Sequence, residues 1–305
     1  MATILEDSKF DATRDLKTVG TNPIKHDGLD KVMGRAKFGS DFFLPGMLFG
    51  QTLRSPHAHA IIKSIDISAA EALPGVKAVV TRDDFPDIDP GSAAGDLTRT
   101  AMAREKALFD GHPVAAVAAT SDAIAKRALK LIKVDYEVLP HVIDPADAMK
   151  PDAPILHDYI RTKGLDEPND QPTNVTERMV SKMGDTEKGF ADADFVVERE
   201  FDSKPMHQGY IEPQGCVAEY SEDGQVELWC CTQGPYVYRD RLSAILKIDS
   251  SKINVRMSEL GGGFGGKTGF YQEPLAIFLS KKASKPVKMA LTRNEVFRGT
   301  GPVSG

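Results

Sequence analysis

Apolar and polar residues alternate along the chain in two blocks, and each block predicts strands mixed with short helices. In the first block, residues 25–140, alternation at residues 47–54 predicts a half-buried strand, and the continuous apolar run at residues 113–119 predicts a buried one. Ser121 caps a predicted helix, which a further alternating run follows. Asp, Pro, Gly and Ala dominate residues 83–100, which predicts a loop. These elements indicate an α+β fold that ends in a βαβ-like unit.

The second block, residues 179–305, follows a proline-rich connection at residues 141–178. Alternating residues 194–201 predict a strand, and the apolar residues 273–281 predict a helix. Residues 1–24 are polar and aperiodic, which predicts a flexible N-terminal arm. The chain is therefore expected to hold two domains joined by the proline-rich connection.

The composition and net charge of the chain argue against nucleic acid and membranes as binding partners. The chain has 305 residues, 41% of them hydrophobic and 27% charged, which suits two globular domains. The formal net charge is −6, and no basic run contains interleaved aromatic residues, so we expect no nucleic-acid partner. The N-terminal stretch is charged and lacks the apolar core of a signal peptide, and no apolar window of about 18 residues occurs. We therefore expect no membrane association and a cytoplasmic location.

Three cysteines and one pair of histidines are candidate metal ligands in this sequence. Cys216, Cys230 and Cys231 include no CxxC spacing, so they predict buried thiols and not an iron–sulfur or zinc cluster. An iron–sulfur group would then belong to another chain. His57 and His59 would face one side of a strand, which permits a metal, but two histidines without a third ligand more often belong to ordinary structure.

The densest chemical signal is the stretch at residues 261–268, in which five glycines surround Phe264. Glycine serves where the backbone needs positive φ or must come close to a ligand. A concave run of unshielded backbone N–H groups can also bind an anion or an oxygen ligand of a metal. We therefore predict that the functional site lies at this stretch.

The same stretch matches two nucleotide-binding patterns. The phosphate-loop pattern GxxxxGK[ST] is matched by Gly261, Gly266, Lys267 and Thr268. The dinucleotide pattern GxGxxG is matched by Gly261, Gly263 and Gly266. Too few strands follow to complete a phosphate-loop domain, and the next strand-like run does not lead to the acidic residue of a dinucleotide site. The nucleotide interpretations and a purely structural glycine turn remain as alternatives.

Four groups of segments occur in an order that points to one family. They are residues 34–38 with 44–48 and 54–58, residues 210–213, residues 232–235, and residues 261–267 with 286–288. Taken together they resemble the molybdopterin-binding large subunit of the xanthine dehydrogenase and aldehyde oxidoreductase family of molybdenum hydroxylases. The resemblance implies an α/β hammerhead domain at residues 25–140. It also implies the first part of a molybdopterin-binding domain at residues 179–305, incomplete at its C-terminus.

The resemblance assigns roles to residues of the second block. The implied cofactor-binding positions are Gln233, Gly262, Gly263, Phe264 and Gly265. In the family a glutamine lies beside the apical oxo ligand of molybdenum, and the glycine loop packs its backbone against the pterin and the metal ligands. The resemblance therefore implies that Gln233 and Phe264 lie near molybdenum and that no side chain ligates the metal. A neutral amide and glycine N–H groups suit such a site because they donate hydrogen bonds to an anionic group without adding charge.

The resemblance also implies a substrate pocket at Phe264 and Thr268. Family members that oxidise xanthine carry a glutamate directly after the Gly-Gly-Lys segment. This chain has Thr268 at that position, so purine oxidation is disfavoured. Lys267 is expected only to flank the site.

Further groups and partners are implied by the resemblance. The cofactor is expected to be molybdopterin with molybdenum, in its cytosine dinucleotide form, and 2Fe-2S and FAD are expected on partner chains. The catalytic glutamate that acts as general base is expected beyond residue 305, and no catalytic residue is expected within the chain. The chain is then a fragment or half of a split subunit, with the remaining half as a partner.

The implied function is that of one component of an oxidoreductase. It would hydroxylate a small-molecule substrate, an aldehyde or an aromatic N-heterocycle, with oxygen from water, and would pass electrons to the iron–sulfur and flavin partners. Two other functions stay open on the sequence. One is a non-catalytic assembly or binding module of the same fold, and the other is a phosphate-loop nucleotide-binding protein.

Overall fold

The computed structural model describes residues 17–167, 169–301 and 303, and the chain divides into two compact units at residues 1–36 and 37–305. In the first unit, the described residues form the short helix α1 (Gly28–Val32). The predicted arm at residues 1–24 lies largely outside the described residues. No helix of the described residues is long and apolar enough to cross a membrane.

The second unit is built on two sheets. A seven-stranded sheet has the order β3-β5-β1-β10-β7-β8-β9, and a three-stranded antiparallel sheet has the order β4-β2-β6. The strands are β1 (Leu48–Arg54), β2 (Ala60–Asp66), β3 (Val76–Thr81), β4 (Lys106–Ala107), β5 (Pro113–Ala119), β6 (Lys133–Val138), β7 (Gly215–Tyr220), β8 (Val226–Cys230), β9 (Ile253–Met257) and β10 (Val287–Ala290). The mixture of strands and helices confirms the α+β prediction.

Helices connect the strands. They are α2 (Ser68–Glu71), α3 (Ala93–Ala101), α4 (Asp122–Leu129), α5 (Pro145–Ala148), α6 (Thr186–Ala191), α7 (Pro235–Leu246), α8 (Glu273–Ala283) and α9 (Arg293–Gly299). Four of them, α2, α4, α7 and α8, pack on strands of the larger sheet. Helix α8 confirms the helix predicted at residues 273–281. Its first eight residues are all buried, which is the position expected of a helix that is apolar on every side.

Strands from both sequence blocks share the larger sheet. Strand β1, from the first block, pairs in parallel with β10, from the second, and Leu48 lies opposite Val287. Helix α8 packs on this sheet, and its Phe278 ring lies 4.2 Å from the ring of Phe85 in the first block. One continuous core therefore contains residues of both blocks. The division into domains at 25–140 and 179–305 stays a prediction.

Three of the predicted elements are wrong. Residues 83–100 are not all loop, because Ser92 caps α3 by accepting a hydrogen bond from the Gly95 N–H at 3.0 Å. The residues that α3 buries are small or polar, Gly95, Thr98 and Ala101, so the sequence shows no strong apolar stripe. The βαβ-like unit is absent because β5 and β6 lie in different sheets, β5 buried throughout and β6 largely exposed.

The strand predicted at residues 194–201 is also wrong. These residues form no strand, and the side chains of Phe195 and Phe201 are each 91% exposed. Alternation of apolar and polar residues favours an extended backbone, but a strand also needs hydrogen bonds to a neighbouring strand. No described strand lies beside this segment.

The imidazole of His112 is buried and hydrogen-bonds two segments of the first block to each other. Its Nδ1 accepts a hydrogen bond from the Leu108 N–H at 3.1 Å, so the proton sits on Nε2, which donates to the Arg99 carbonyl oxygen at 2.7 Å. The ring stacks on Phe109 with 4.3 Å between centroids. Burial disfavours the charged imidazolium and lowers the pKa of His112 to about 4.

We predict that His112 makes the stability of the fold depend on pH. Because the pKa of His112 falls from 6.5 in the unfolded chain to about 4 in the folded one, its contribution is fully present above pH 6.5 and is lost progressively toward pH 4. The loss at the acid end is about 3 kcal/mol in the free energy of unfolding. Urea unfolding at several pH values should show this loss in the wild type. The variant His112→Gln keeps a donor and an acceptor without titrating, and an equally steep pH dependence in that variant would contradict the prediction.

Candidate functional site

Strand pairing brings three segments together at one edge of the larger sheet. Strands β8 and β9 are parallel, with Cys230 opposite Met257, so the segments that follow them leave the sheet on the same side. Strand β7 is antiparallel to β8, with Cys216 opposite Cys230, so the segment that precedes β7 also lies there. The glycine stretch, Gln233 and residues 210–214 therefore meet at this edge. Ligands commonly bind at such edges in open sheets that contain parallel strands.

The glycine stretch folds as a tight turn with an exposed aromatic tip. The Gly266 N–H donates to the Gly263 carbonyl oxygen at 2.7 Å, and the two central residues, Phe264 and Gly265, have φ of 51° and 87°. Positive φ at both positions is typical of a type I′ turn. A bulky residue rarely adopts this conformation, at a cost of about 1–3 kcal/mol, and such strain clusters at functional sites. The Phe264 side chain is 72% exposed.

The glycines of this turn are required for different reasons. A Cβ at Gly261 would lie 2.6 Å from Cβ of Glu212, one at Gly266 2.7 Å from a ring carbon of Tyr210, and one at Gly263 2.5 Å from Oε1 of Gln233. These three glycines are therefore fixed by packing within the chain. Gly265 is different, because a Cβ there would meet no atom within 4 Å. The backbone at Gly265 thus borders open space.

The backbone N–H groups of residues 262–265 have no hydrogen-bond acceptor anywhere in the part of the chain that the structure describes. Their neighbours on both sides are satisfied, since the Gly261 N–H donates to Glu212 at 2.7 Å and the Lys267 N–H donates to Gln233 at 3.1 Å. A run of adjacent free N–H groups on a turn with positive φ can bind an anionic group.

The side-chain amide of Gln233 is held in one orientation. Its Oε1 accepts the hydrogen bond from the Lys267 N–H, and the Gln233 backbone N–H donates to the Lys267 carbonyl oxygen at 3.0 Å. Because the oxygen is used in this way, the amide NH₂ group is the end that remains for a ligand. The residue is exposed, and the described residues provide no acceptor for Nε2.

The side chain of Lys267 does not reach a phosphate position. It is fully buried, and its Nζ lies 2.6 Å from Oε2 of Glu212. Helix α8 starts only at Glu273, so its N-terminus does not directly follow the glycine turn as a phosphate loop requires. Thr268 donates from Oγ1 to the Gly265 carbonyl oxygen at 2.8 Å. The geometry therefore disfavours the phosphate-loop interpretation.

A cavity of about 540 Å³ lies next to the predicted substrate residues. Its lining includes Gly269, Phe270 and Tyr271, which directly follow Thr268, together with Phe297 of α9. Phe264 and Thr268 themselves do not line this cavity. Their assignment to a substrate pocket stays a prediction.

The other candidate ligands do not form a metal site. Among the described residues no group of three or more His, Cys, Asp or Glu side chains could hold a metal. His57 and His59 lie in a bend and not in a strand, with His57 edge-on to a tyrosine ring and His59 Nδ1 2.7 Å from the Pro140 carbonyl oxygen. The three cysteines are buried, and burial raises the pKa of the Cys231 thiol to about 11.

Comparisons with known proteins show which family the two parts of the chain match. A family model described as "Aldehyde oxidase and xanthine dehydrogenase, a/b hammerhead domain" matches residues 33–140, and one described as "Molybdopterin cofactor-binding domain" matches residues 167–304. The chain is 35% identical over 300 residues to the carbon monoxide dehydrogenase large chain of Afipia carboxidovorans, covering 96% of this chain and 37% of the relative.

Two further proteins are similar over most of the chain. It is 31% identical over 284 residues to the nicotinate dehydrogenase large molybdopterin subunit of Eubacterium barkeri, covering 92% of this chain and 63% of the relative. Its structure matches that of quinoline 2-oxidoreductase from Pseudomonas putida 86 with a TM-score of 0.74 and 31% identity, covering 91% of this chain and 35% of that one. The chain thus spans 37% of the length of the carbon monoxide dehydrogenase large chain and 63% of the length of the nicotinate dehydrogenase subunit.

We predict that a methyl group at Gly263 disturbs the site by displacing the Gln233 amide. The added Cβ would lie 2.5 Å from Oε1 of Gln233, so Gly263→Ala should lower the free energy of unfolding by about 1–3 kcal/mol. Gly269→Ala is the matched control, because a Cβ there meets nothing within 4 Å, and it should change stability by about 0.5 kcal/mol or less. Urea unfolding measures both. Equal stabilities of the two variants would contradict the packing described here.

Proposed function

The chain belongs to the xanthine dehydrogenase and aldehyde oxidoreductase family of molybdenum hydroxylases, and we propose that it is the molybdopterin-binding component of an oxidoreductase. The enzyme would hydroxylate an aldehyde or an aromatic N-heterocycle with oxygen from water and pass electrons to iron–sulfur and flavin partners. The observation that carries the proposal is the free donor set at the sheet edge, formed by the N–H groups of residues 262–265 and the amide of Gln233.

The residues at this edge fit the cofactor. Molybdopterin is anionic, and the turn offers it adjacent backbone donors together with open space at Gly265. Lys267 is committed to Glu212 inside the protein, and the Arg241 guanidinium donates to the Thr268 carbonyl oxygen at 3.3 Å. The free donors of the turn itself, its backbone N–H groups and the Gln233 amide, are therefore neutral. When bound, the molybdenum cofactor supplies a two-electron redox centre that neither a peptide group nor any side chain here can replace.

The chain's own residues would hold and orient the cofactor and would not perform the redox step. The backbone of residues 262–265 would donate hydrogen bonds, and the Gln233 amide would donate from Nε2, because its oxygen is occupied by the Lys267 N–H. Donors fixed before the reaction stabilise developing negative charge without reorganising at that moment. We propose the cytosine dinucleotide form of the cofactor, with the 2Fe-2S and FAD groups on partner chains.

An aromatic N-heterocycle is the substrate class that we favour. Two of the relatives are named for nicotinate and quinoline, which are both aromatic N-heterocycles. The cavity of about 540 Å³ beside the turn carries Phe270, Tyr271 and Phe297, whose rings could stack on a planar substrate. At Thr268, a neutral hydroxyl already bonded to a carbonyl oxygen lies where xanthine-oxidising members carry a glutamate, which disfavours purines.

We predict that Gln233→Ala in the complete assembly lowers kcat/KM, because one fixed donor is lost. The loss of transition-state stabilisation should be about 2–4 kcal/mol. The fold should persist at a cost of about 1 kcal/mol, because the Lys267 N–H loses its acceptor although the Gln233 side chain lies at the exposed surface. Gln225→Ala, at an exposed hairpin turn, is the control and should keep full activity. Kinetics with nicotinate or quinoline, with molybdenum content measured on the same samples, tests this.

Two outcomes would count against the proposed function. Wild-type kcat/KM in Gln233→Ala, at full molybdenum content, would remove Gln233 from the site. Binding of ATP, seen as protection of the wild-type chain against unfolding, together with an absence of molybdenum from the assembly, would favour the phosphate-loop alternative.

A further inference from the structure

Glu212 joins three separate segments through its carboxylate. Oε1 accepts a hydrogen bond from the Gly39 N–H at 3.0 Å, and Oε2 accepts from the Gly261 N–H at 2.7 Å and from Lys267 Nζ at 2.6 Å. The Glu212 backbone N–H also donates to the Gly261 carbonyl oxygen at 3.2 Å. Glu212 and Gly261 are therefore tied in both directions at the point where the glycine turn begins.

Lys267 fixes the other end of the same turn. Its side chain is 0% exposed, against 10% for Glu212, and its Nζ lies 5.0 Å from the centre of the Tyr210 ring. That ring also lies against Gly266, where a Cβ would come within 2.7 Å of it. The ion pair thus clamps the turn between its first residue and its last.

The backbone of Lys267 passes this constraint on to Gln233. The Lys267 N–H holds Oε1 of the Gln233 amide at 3.1 Å, and the Lys267 carbonyl oxygen accepts the Gln233 N–H at 3.0 Å. The residue whose side chain is anchored by Glu212 is therefore the residue that turns the amide NH₂ outward. Any shift of Lys267 along the turn would rotate or release that amide.

Stability alone does not account for a buried ion pair. Removing two charges from water is costly, and replacing such a pair by neutral residues of similar volume is often neutral or stabilising. Apolar side chains at positions 212 and 267 could not, however, hold the backbone at position 267 at a fixed point relative to Gly261 and Gly39. Directional contacts from both oxygens of Glu212 do so.

We propose that the Glu212–Lys267 pair is a positioning element for the Gln233 amide and for the free N–H groups of residues 262–265. It sets the affinity for the cofactor and the rate of the reaction without touching the cofactor. This inference rests on the proposed function of the same site. It differs from a purely structural role, because the effect on rate must pass through Gln233.

A double-mutant cycle separates positioning from structure. The variant Glu212→Gln/Lys267→Met leaves no charge buried without a partner, so it should fold, and the introduced amide oxygen could still accept one backbone N–H. We expect kcat per bound molybdenum to fall about tenfold in the wild-type background and less than about twofold when Gln233 is already replaced by alanine. Equal losses in both backgrounds would reduce the pair to a structural role and overturn the proposal.

Cofactor release gives a second readout that does not depend on turnover. We expect molybdopterin to leave the variant assembly about ten times faster than the wild type, followed by the fluorescence of the released and oxidised pterin. The matched control is Asp84→Asn/Lys282→Met, which removes an ion pair of 2.9 Å at the far end of α8. This control should release molybdopterin at the wild-type rate.

The outcomes for function and for positioning are distinguishable. A wild-type assembly that contains no molybdopterin would overturn the proposed function and this inference with it. A wild-type assembly that contains molybdopterin, with an unchanged release rate in Glu212→Gln/Lys267→Met, would overturn the positioning role and leave the proposed function intact. Faster release in the α8 control as well would show a general loss of stability and would also overturn it.

Discussion

The parallel pairing of β8 and β9 is the constraint on which the candidate site depends. Because the two strands run in the same direction, the segment that carries Gln233 and the glycine turn must leave the sheet at the same edge. The antiparallel strand β7 brings Glu212 to that edge from its other end. Backbone hydrogen bonds within the sheet thus bring together segments far apart in sequence, and the side chains of Glu212, Gln233 and Lys267 then fix them relative to one another.

The free hydrogen-bond donors of the candidate site are neutral, and the lysine of its glycine stretch points into the protein. A phosphate loop presents a lysine to its ligand, whereas this chain turns the corresponding Lys267 into the protein, where Glu212 neutralises it. The free donors of the turn are backbone N–H groups and one amide, and the Arg241 guanidinium lies beside them on the Thr268 carbonyl oxygen. Such donors can bind an anionic group without carrying a charge themselves. The glycine stretch therefore matches both a phosphate loop and a molybdopterin site in sequence, and the direction of the Lys267 side chain distinguishes the two interpretations.

The sequence predicted the parts of this site that rest on local chemistry. A run of glycines around Phe264 indicates a special backbone by itself, and the apolar residues of α8 indicate a buried helix. The strand predicted at residues 194–201 is wrong because a strand depends on a neighbouring strand. The loop predicted at residues 83–100 is wrong because α3 forms there by burying small and polar residues. The bond between Glu212 and Lys267 was missed for a similar reason, since 55 positions separate the two residues. A lysine within a glycine-rich turn was the signal available.

Amide hydrogen exchange at residues 262–265, measured in the complete assembly with and without bound molybdopterin, tests whether this turn holds the cofactor. These N–H groups lack an acceptor within the described chain, so we expect fast exchange at the exposed Phe264 and Gly265 without the cofactor, and strong protection with it. The N–H of Gly261, already bonded to Glu212, should change little. Exchange at Phe264 and Gly265 that is the same with and without molybdopterin would show that the cofactor does not bind at this turn.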